Sequence, residues 1–132
     1  MVHGERNVLG GALEVCGTDP MTGFYRDGHC SSGPEDVGSH TICCVMTLEF
    51  LTHQRSVGND LETPRPSWQF PGLRPGDRWC VVAARWLQAH RDGAPAPVIL
   101  AATHERTLEL VPLHVLRRYA ADVPDDPRSL LP

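Results

Sequence analysis

The sequence predicts one soluble α+β domain, with a short mixed or antiparallel sheet, about three helices packed on it and two long ordered loops. Three observations lead there. The chain has 132 residues, enough for a single core. Twice an apolar, β-branched run passes directly into residues with helical spacing. Between these units lie two long stretches with neither period. Apolar residues make up 41% of the chain, an ordinary globular share, while 12 Gly and 12 Pro exceed average usage and belong in loops.

The first unit is HTICCVM at residues 40–46, a strand, followed by a helix that Thr47 can cap. Glu49 suits the first turn of that helix, Gly58 can end it, and Phe50, Leu51 and Val57, helped by Leu48, supply its buried stripe. The second unit begins at Arg78, with WCVVA as strand and ARWLQAHRD as helix, ended by Gly93; Trp79 and Leu87 are its core residues. PVILAA at residues 97–102 is apolar on both faces, which predicts a central strand, with Thr103 as an N-cap after it. Residues 107–111 fit either a strand or a continuing helix. Pro112 then suits a first helical position, and Leu113, Leu116 and Ala120 form one face of a last helix. Residues 1–6 and 121–132 have the composition of flexible tails.

Residues 17–39 and 58–77 remain without regular pattern, about a third of the chain. Loops beyond about 15 residues in a compact domain are usually functional or disordered. Phe24, Tyr25 and Arg26 in the first, and Trp68 and Phe70 in the second, are side chains that pin a loop to a core. Ordered loops are therefore expected.

Net charge is −4 with a pI near 5.9, and no basic runs occur, so nucleic acid is not an expected partner. No apolar run reaches the roughly 18 residues of a membrane span, and no signal peptide opens the chain. The expectation is a cytoplasmic protein with no membrane partner. All 12 basic residues are Arg, which removes Schiff-base chemistry and a P-loop lysine but leaves planar forks suited to a small anionic molecule.

Five cysteines, Cys16, Cys30, Cys43, Cys44 and Cys80, are odd in number, lack C-x-x-C spacing and accompany no export signal. They are expected as reduced thiols, with no disulfide framework, metal site or cofactor. The dinucleotide, Walker A, G-x-S-x-G and EF-hand patterns are missing, and the H-E pair at His104 lacks the second histidine of a zincin. His104 nevertheless follows a predicted strand at a helix N-terminus, where imidazole can act as a base. Within the first strand, alternation puts His40 and Cys43 on opposite faces, and Cys44, on the His40 face, is roughly 13 Å away at about 3.3 Å per residue, so no local dyad forms there. Arg78 and Cys80 are two residues apart on one face, which can activate the thiol. Each of these side chains also has a purely structural use: cysteine as a small buried apolar residue, acids as turn caps, arginines as ties between loops.

NVLGGALEVCGTDPMTGFYRDG, GPEDVGSHTICCVMT, GNDLETPRP, FPGLRPGDRWCVVAARW and ATHE, in that order, closely resemble the bacterial domain-of-unknown-function family 2237 over residues 7–122. The resemblance implies a single small α+β domain with no established biochemical role. One departure from the family pattern is His29, where many relatives carry cysteine.

The combined expectation is a small-molecule binding or catalytic module whose site forms where the two loops meet the strands beginning at Arg78 and Pro97. Cys80 and His104 are its catalytic candidates, and Asp19, Tyr25, Arg26, Asp36, His40, Arg65, Asp77 and Arg78 its ligand-binding candidates. The competing expectation is a structural or protein-interaction domain in which the same polar residues only stiffen the loops.

Overall fold

A computed structural model describes residues 5–122. The chain folds as a small α+β domain with a two-stranded antiparallel sheet and three α-helices, β1 (His40–Val45), α1 (Leu48–Ser56), β2 (Arg78–Val82), α2 (Ala83–Arg91) and α3 (Leu113–Arg117). Both strand-into-helix units form. Thr47 caps α1 by accepting the Phe50 N–H at 3.1 Å, with Glu49 in the first turn, and the chain leaves α1 through Gly58 at φ +89°. Phe50, Leu51 and Gln54 are buried, whereas Leu48 is exposed and Val57 only half-buried. The inward stripe of this helix is thus narrower than its apolar residues suggest.

β1 pairs with β2 in a register that opposes Cys43 to Cys80 and Cys44 to Trp79, with an irregularity between His40 and Ile42. Alternation gives the sheet two buried faces. Ile42, Cys44, Trp79 and Val81 enter the main core with Phe50, Trp86, Leu100 and Leu116, while Cys43 and Cys80 enter a second cluster with Cys16, Cys30 and Ala102. Trp86 is fully buried and donates its indole N–H to the Ala96 carbonyl at 2.9 Å, so the largest core side chain leaves no polar atom unsatisfied. Leu87 packs on this core while only partly buried.

The predicted strand at 97–102 does not form. Val98 makes single bridges to Cys44 and Ala120, and residues Leu100–Ala102 turn into a 3₁₀ helix. Val98 and Ile99 donate to the Tyr119 and Cys43 carbonyls, but the ladder stops there, and Asp122 accepts the N–H groups of Leu100 and Ala101 at 2.8 and 3.0 Å. Thr103 does not cap a helix; its hydroxyl donates to Ile99 and accepts the Cys43 N–H, while His104 caps a 3₁₀ segment, Glu105–Glu109. Residues 107–111 are thus neither strand nor α-helix. Pro112 stands just before α3 as its cap, with Leu116 buried and Leu113 and Ala120 packed at the core margin.

Of the predicted tails, residues 1–4 and 123–132 lie outside the described residues. Residues 5, 6, 121 and 122 are built into the domain: Arg6 bridges Ala12, its carbonyl accepts the Glu105 N–H, and the Ala121 N–H donates to Val98 at 2.7 Å. Among the described residues no helix is long and apolar enough to cross a membrane.

A cleft between the two long loops

Neither long segment contains α-helix or a strand of the sheet, yet both are held by specific bonds. In the first, Gly23 sits at φ +101°, and a Cβ there would lie 2.3 Å from the His29 carbonyl oxygen, so only glycine fits. The Gly28 carbonyl accepts the N–H groups of Cys16 and Gly17. The Thr22 hydroxyl accepts the Cys80 N–H at 2.8 Å, fixing this loop along β2. In the second loop, Arg65 and Phe70 exchange backbone hydrogen bonds around a 3₁₀ turn, Pro66–Trp68, and Phe70 packs edge-on against Trp79 with ring centroids 5.2 Å apart.

The loops face each other across β2 and enclose a cleft of about 520 Å³. Phe24 and Arg26 come from the first loop, residues 58–61, Arg65, Trp68 and Phe70 from the second, and Trp79 to Val82 with His40 from the sheet. Arg26 stands over the Trp79 ring, 5.0 Å from its centroid, and donates to the Gly23 carbonyl at 2.7 Å. Among the described residues neither Arg26 nor Arg65 has a carboxylate partner. Among the described residues Asp60 is the one acid in the lining. It is spoken for by the Thr63 hydroxyl, the Glu62 N–H and the nearby Arg55, and the hydrogen bond from Thr63 is the largest cause holding its carboxyl down at about 2. The cleft therefore presents positive charge over an aromatic wall.

His40 occupies the mouth of β1 in that wall. Its Nδ1 lies 2.6 Å from Oδ1 of Asp36, whose other oxygen accepts the His40 backbone N–H at 2.8 Å and the Ser32 hydroxyl at 3.3 Å. Asp36 is fully buried, and the His40 ring is one-third exposed. A carboxylate at Nδ1 favours the ring proton there, and in the neutral ring this leaves Nε2, without a protein partner among the described residues, as an acceptor. Arg106 braces the same loop through Ser32 at 2.6 Å and the carbonyls of Gly33 and Asp36.

Of the residues singled out from the sequence, the cleft gathers Arg26, His40, Arg65 and Cys80, with Asp36 immediately behind His40. Tyr25 packs on Phe24 and donates to Glu35 at 3.2 Å; loss of solvent and then the Glu35 carboxylate raise its phenol above the usual value. Asp19 forms a cis peptide with Pro20, Asp77 caps its own turn by accepting the Arg74 N–H, and Arg78 is exposed at the start of β2. None of these four lines the cleft.

Two expectations about catalysis are corrected. Cys80 is not a free thiol: disulfides join Cys30 to Cys80 and Cys16 to Cys43, and the odd cysteine is Cys44, whose burial pushes its thiol well above the usual value. His104 lies in a separate depression with Glu5 and Arg106, its Nδ1 accepting the Arg106 N–H at 2.9 Å and its Nε2 3.5 Å from Glu5. The Cys80 and His104 pair is not assembled. What sequence reasoning missed is the His40 and Asp36 pair as a unit and Asn59 and Leu61 as lining; the pair has i,i+4 spacing but sits in a glycine-containing turn outside any helix, so the spacing alone did not announce it.

Residues 6–120 match the model of a family described as an uncharacterized protein conserved in bacteria, DUF2237, and the chain belongs to that family. No curated protein matches the chain.

Proposed function

We propose that this member of an uncharacterised bacterial family binds a small anionic molecule in the cleft between its loops and moves a proton on it through His40. One observation carries the reading: a buried carboxylate, Asp36, holds His40 Nδ1 at 2.6 Å, in a wall shared with two arginines that no acid among the described residues neutralises. A carboxylate at Nδ1 fixes the tautomer and stabilises the imidazolium that forms when Nε2 takes a proton. Arg26 and Arg65 would hold a carboxylate or phosphate, and Phe24, Trp68, Phe70 and Trp79 would cover an attached apolar or aromatic group. Cytoplasmic residence belongs to this reading; in a reducing compartment the paired cysteines would stand as thiols. The net charge of −4 argues against nucleic acid as the ligand.

The Ser32, Asp36, His40 and Arg106 network also fits a second reading, in which these residues only stiffen the first loop and nothing binds. Titration with benzoate and, separately, inorganic phosphate, followed in ¹H–¹⁵N spectra, distinguishes the two. Binding is expected to move the resonances of Arg26, His40, residues 58–70 and β2, and Arg65→Ala to weaken it about tenfold or more, the loss of one charge-assisted contact. Benzoate tighter than phosphate would assign the ligand as an aromatic carboxylate. No movement with either anion would leave the structural reading standing.

A further inference from the structure

Cys43 and Cys80 are opposed on the second face of the sheet, and Cys16, immediately before the first loop, and Cys30, within it, descend on them, clamped by the bonds that Cys16 and Gly17 make to Gly28. The Sγ atoms of Cys16, Cys30 and Cys80 lie within 4.8 Å of one another, and Cys43 Sγ is bonded to that of Cys16. All four cysteines are buried. A tetrahedral zinc site with Zn–S bonds of about 2.3 Å has sulfur–sulfur edges of about 3.8 Å. No pair among Cys16, Cys30 and Cys80 exceeds that edge by more than about 1 Å, and Cys43 is covalently joined to Cys16.

We infer that on reduction this centre becomes a four-thiolate site for a zinc-class cation. Two molecules of an external dithiol supply the electrons: each closes its own disulfide as one protein S–S bond breaks and two thiols form. Metal entry then releases the thiol protons to solvent as Zn–S bonds form. Four thiolates crowded in an apolar interior repel one another and are poorly solvated, and a divalent cation offsets both costs. The donor set is sulfur alone, which selects zinc over magnesium or calcium. This inference stands apart from the anion-binding reading, because it invokes neither arginine nor His40.

The test uses the full chain, reduced with dithiothreitol, desalted without oxygen and titrated with cobalt(II). The expected result is one equivalent bound, with the near-ultraviolet thiolate-to-cobalt band and the visible bands of a tetrahedral site, and displacement by zinc. Alkylation with mass mapping should find Cys16, Cys30, Cys43 and Cys80 labelled without zinc and protected with it. Cys44→Ser should leave the spectrum unchanged and Cys30→Ser should lose or alter it; if Cys30→Ser fails to fold, the protection map of the unaltered chain decides. An oxygen- or nitrogen-ligand spectrum, equal labelling with and without zinc, or the same cobalt binding by the oxidised protein would each overturn the inference.

Discussion

Cys43 and Cys80 face each other as Cα partners across β1 and β2, yet neither bonds the other: Cys43 reaches Cys16 and Cys80 reaches Cys30, both in the N-terminal half of the chain. The sheet is thereby riveted once to the residue that precedes the first loop and once to the loop itself. The bridges span 27 and 50 residues, and closing loops of that size restricts the unfolded chain by about 3–4 kcal/mol each. Against a typical domain stability of about 5–15 kcal/mol, this is a large share. Reduction in the presence of a chelator should lower the urea midpoint steeply; an unchanged midpoint would show that the bridges contribute nothing.

Asp36→Ala removes the acceptor of three hydrogen bonds at a fully buried position. It strands the His40 N–H at the start of β1 and frees the ring. A loss of about 2–3 kcal/mol is expected in urea unfolding, larger than that of Glu35→Ala at the exposed Tyr25 contact. Equal effects from the two variants would mean that Asp36 does not organise the loop.

The carboxyl of Asp60 is depressed to about 2 by the Thr63 hydroxyl, then the Glu62 N–H, with Arg55 adding to the effect. The folded value lies below the unfolded one of about 4. Its stabilisation is therefore fully present above about pH 4 and is lost as pH falls through about 2. The ¹³C carboxyl resonance of Asp60 should titrate with a midpoint near 2, and Thr63→Val should raise that midpoint. A midpoint near 4 in the unaltered protein would contradict the hydrogen-bonded turn that shapes this side of the cleft.

Gly72 takes φ +83°, and a Cβ placed there would sit 2.3 Å from the Glu62 carbonyl oxygen. Backbone meets backbone, so no side-chain rotation relieves the contact. Gly72→Ala should destabilise the protein by more than about 1 kcal/mol and disturb the Leu61 to Leu73 pairing that carries the second loop. Gly58→Ala, also at positive φ but with nothing within 4 Å, should cost less. The reverse order in thermal unfolding would remove close approach as the reason.

Both strand-into-helix units could be read from residue order, because a change from period two to period 3.6 is local, and Thr47 caps α1 at the position its side chain suggests. Residues 97–102 could not: apolar side chains report burial, and whether a buried backbone pairs with a strand or with Asp122 is decided by a residue 21 or 22 positions away. The cysteines misled for a similar reason. An odd count and the missing export signal speak to compartment, while pairing depends on which side of β1 each cysteine faces and on a loop whose path glycine turns determine. In the cleft, single loop residues such as Arg26 and Arg65 could be named, but the partner that gives His40 its chemistry is set by a turn, Gly33 to Asp36, with no periodic signature.

The account depends most on His40 holding its proton at Nδ1 against Asp36 while Nε2 stays open to the cleft. Long-range ¹H–¹⁵N spectra of the histidine rings measure this directly, in the free protein and during a benzoate titration. The account predicts the Nδ1–H tautomer for neutral His40 and a saturable movement of its Nε2 resonance as benzoate is added. An Nε2–H tautomer, with ring resonances indifferent to benzoate, would contradict it.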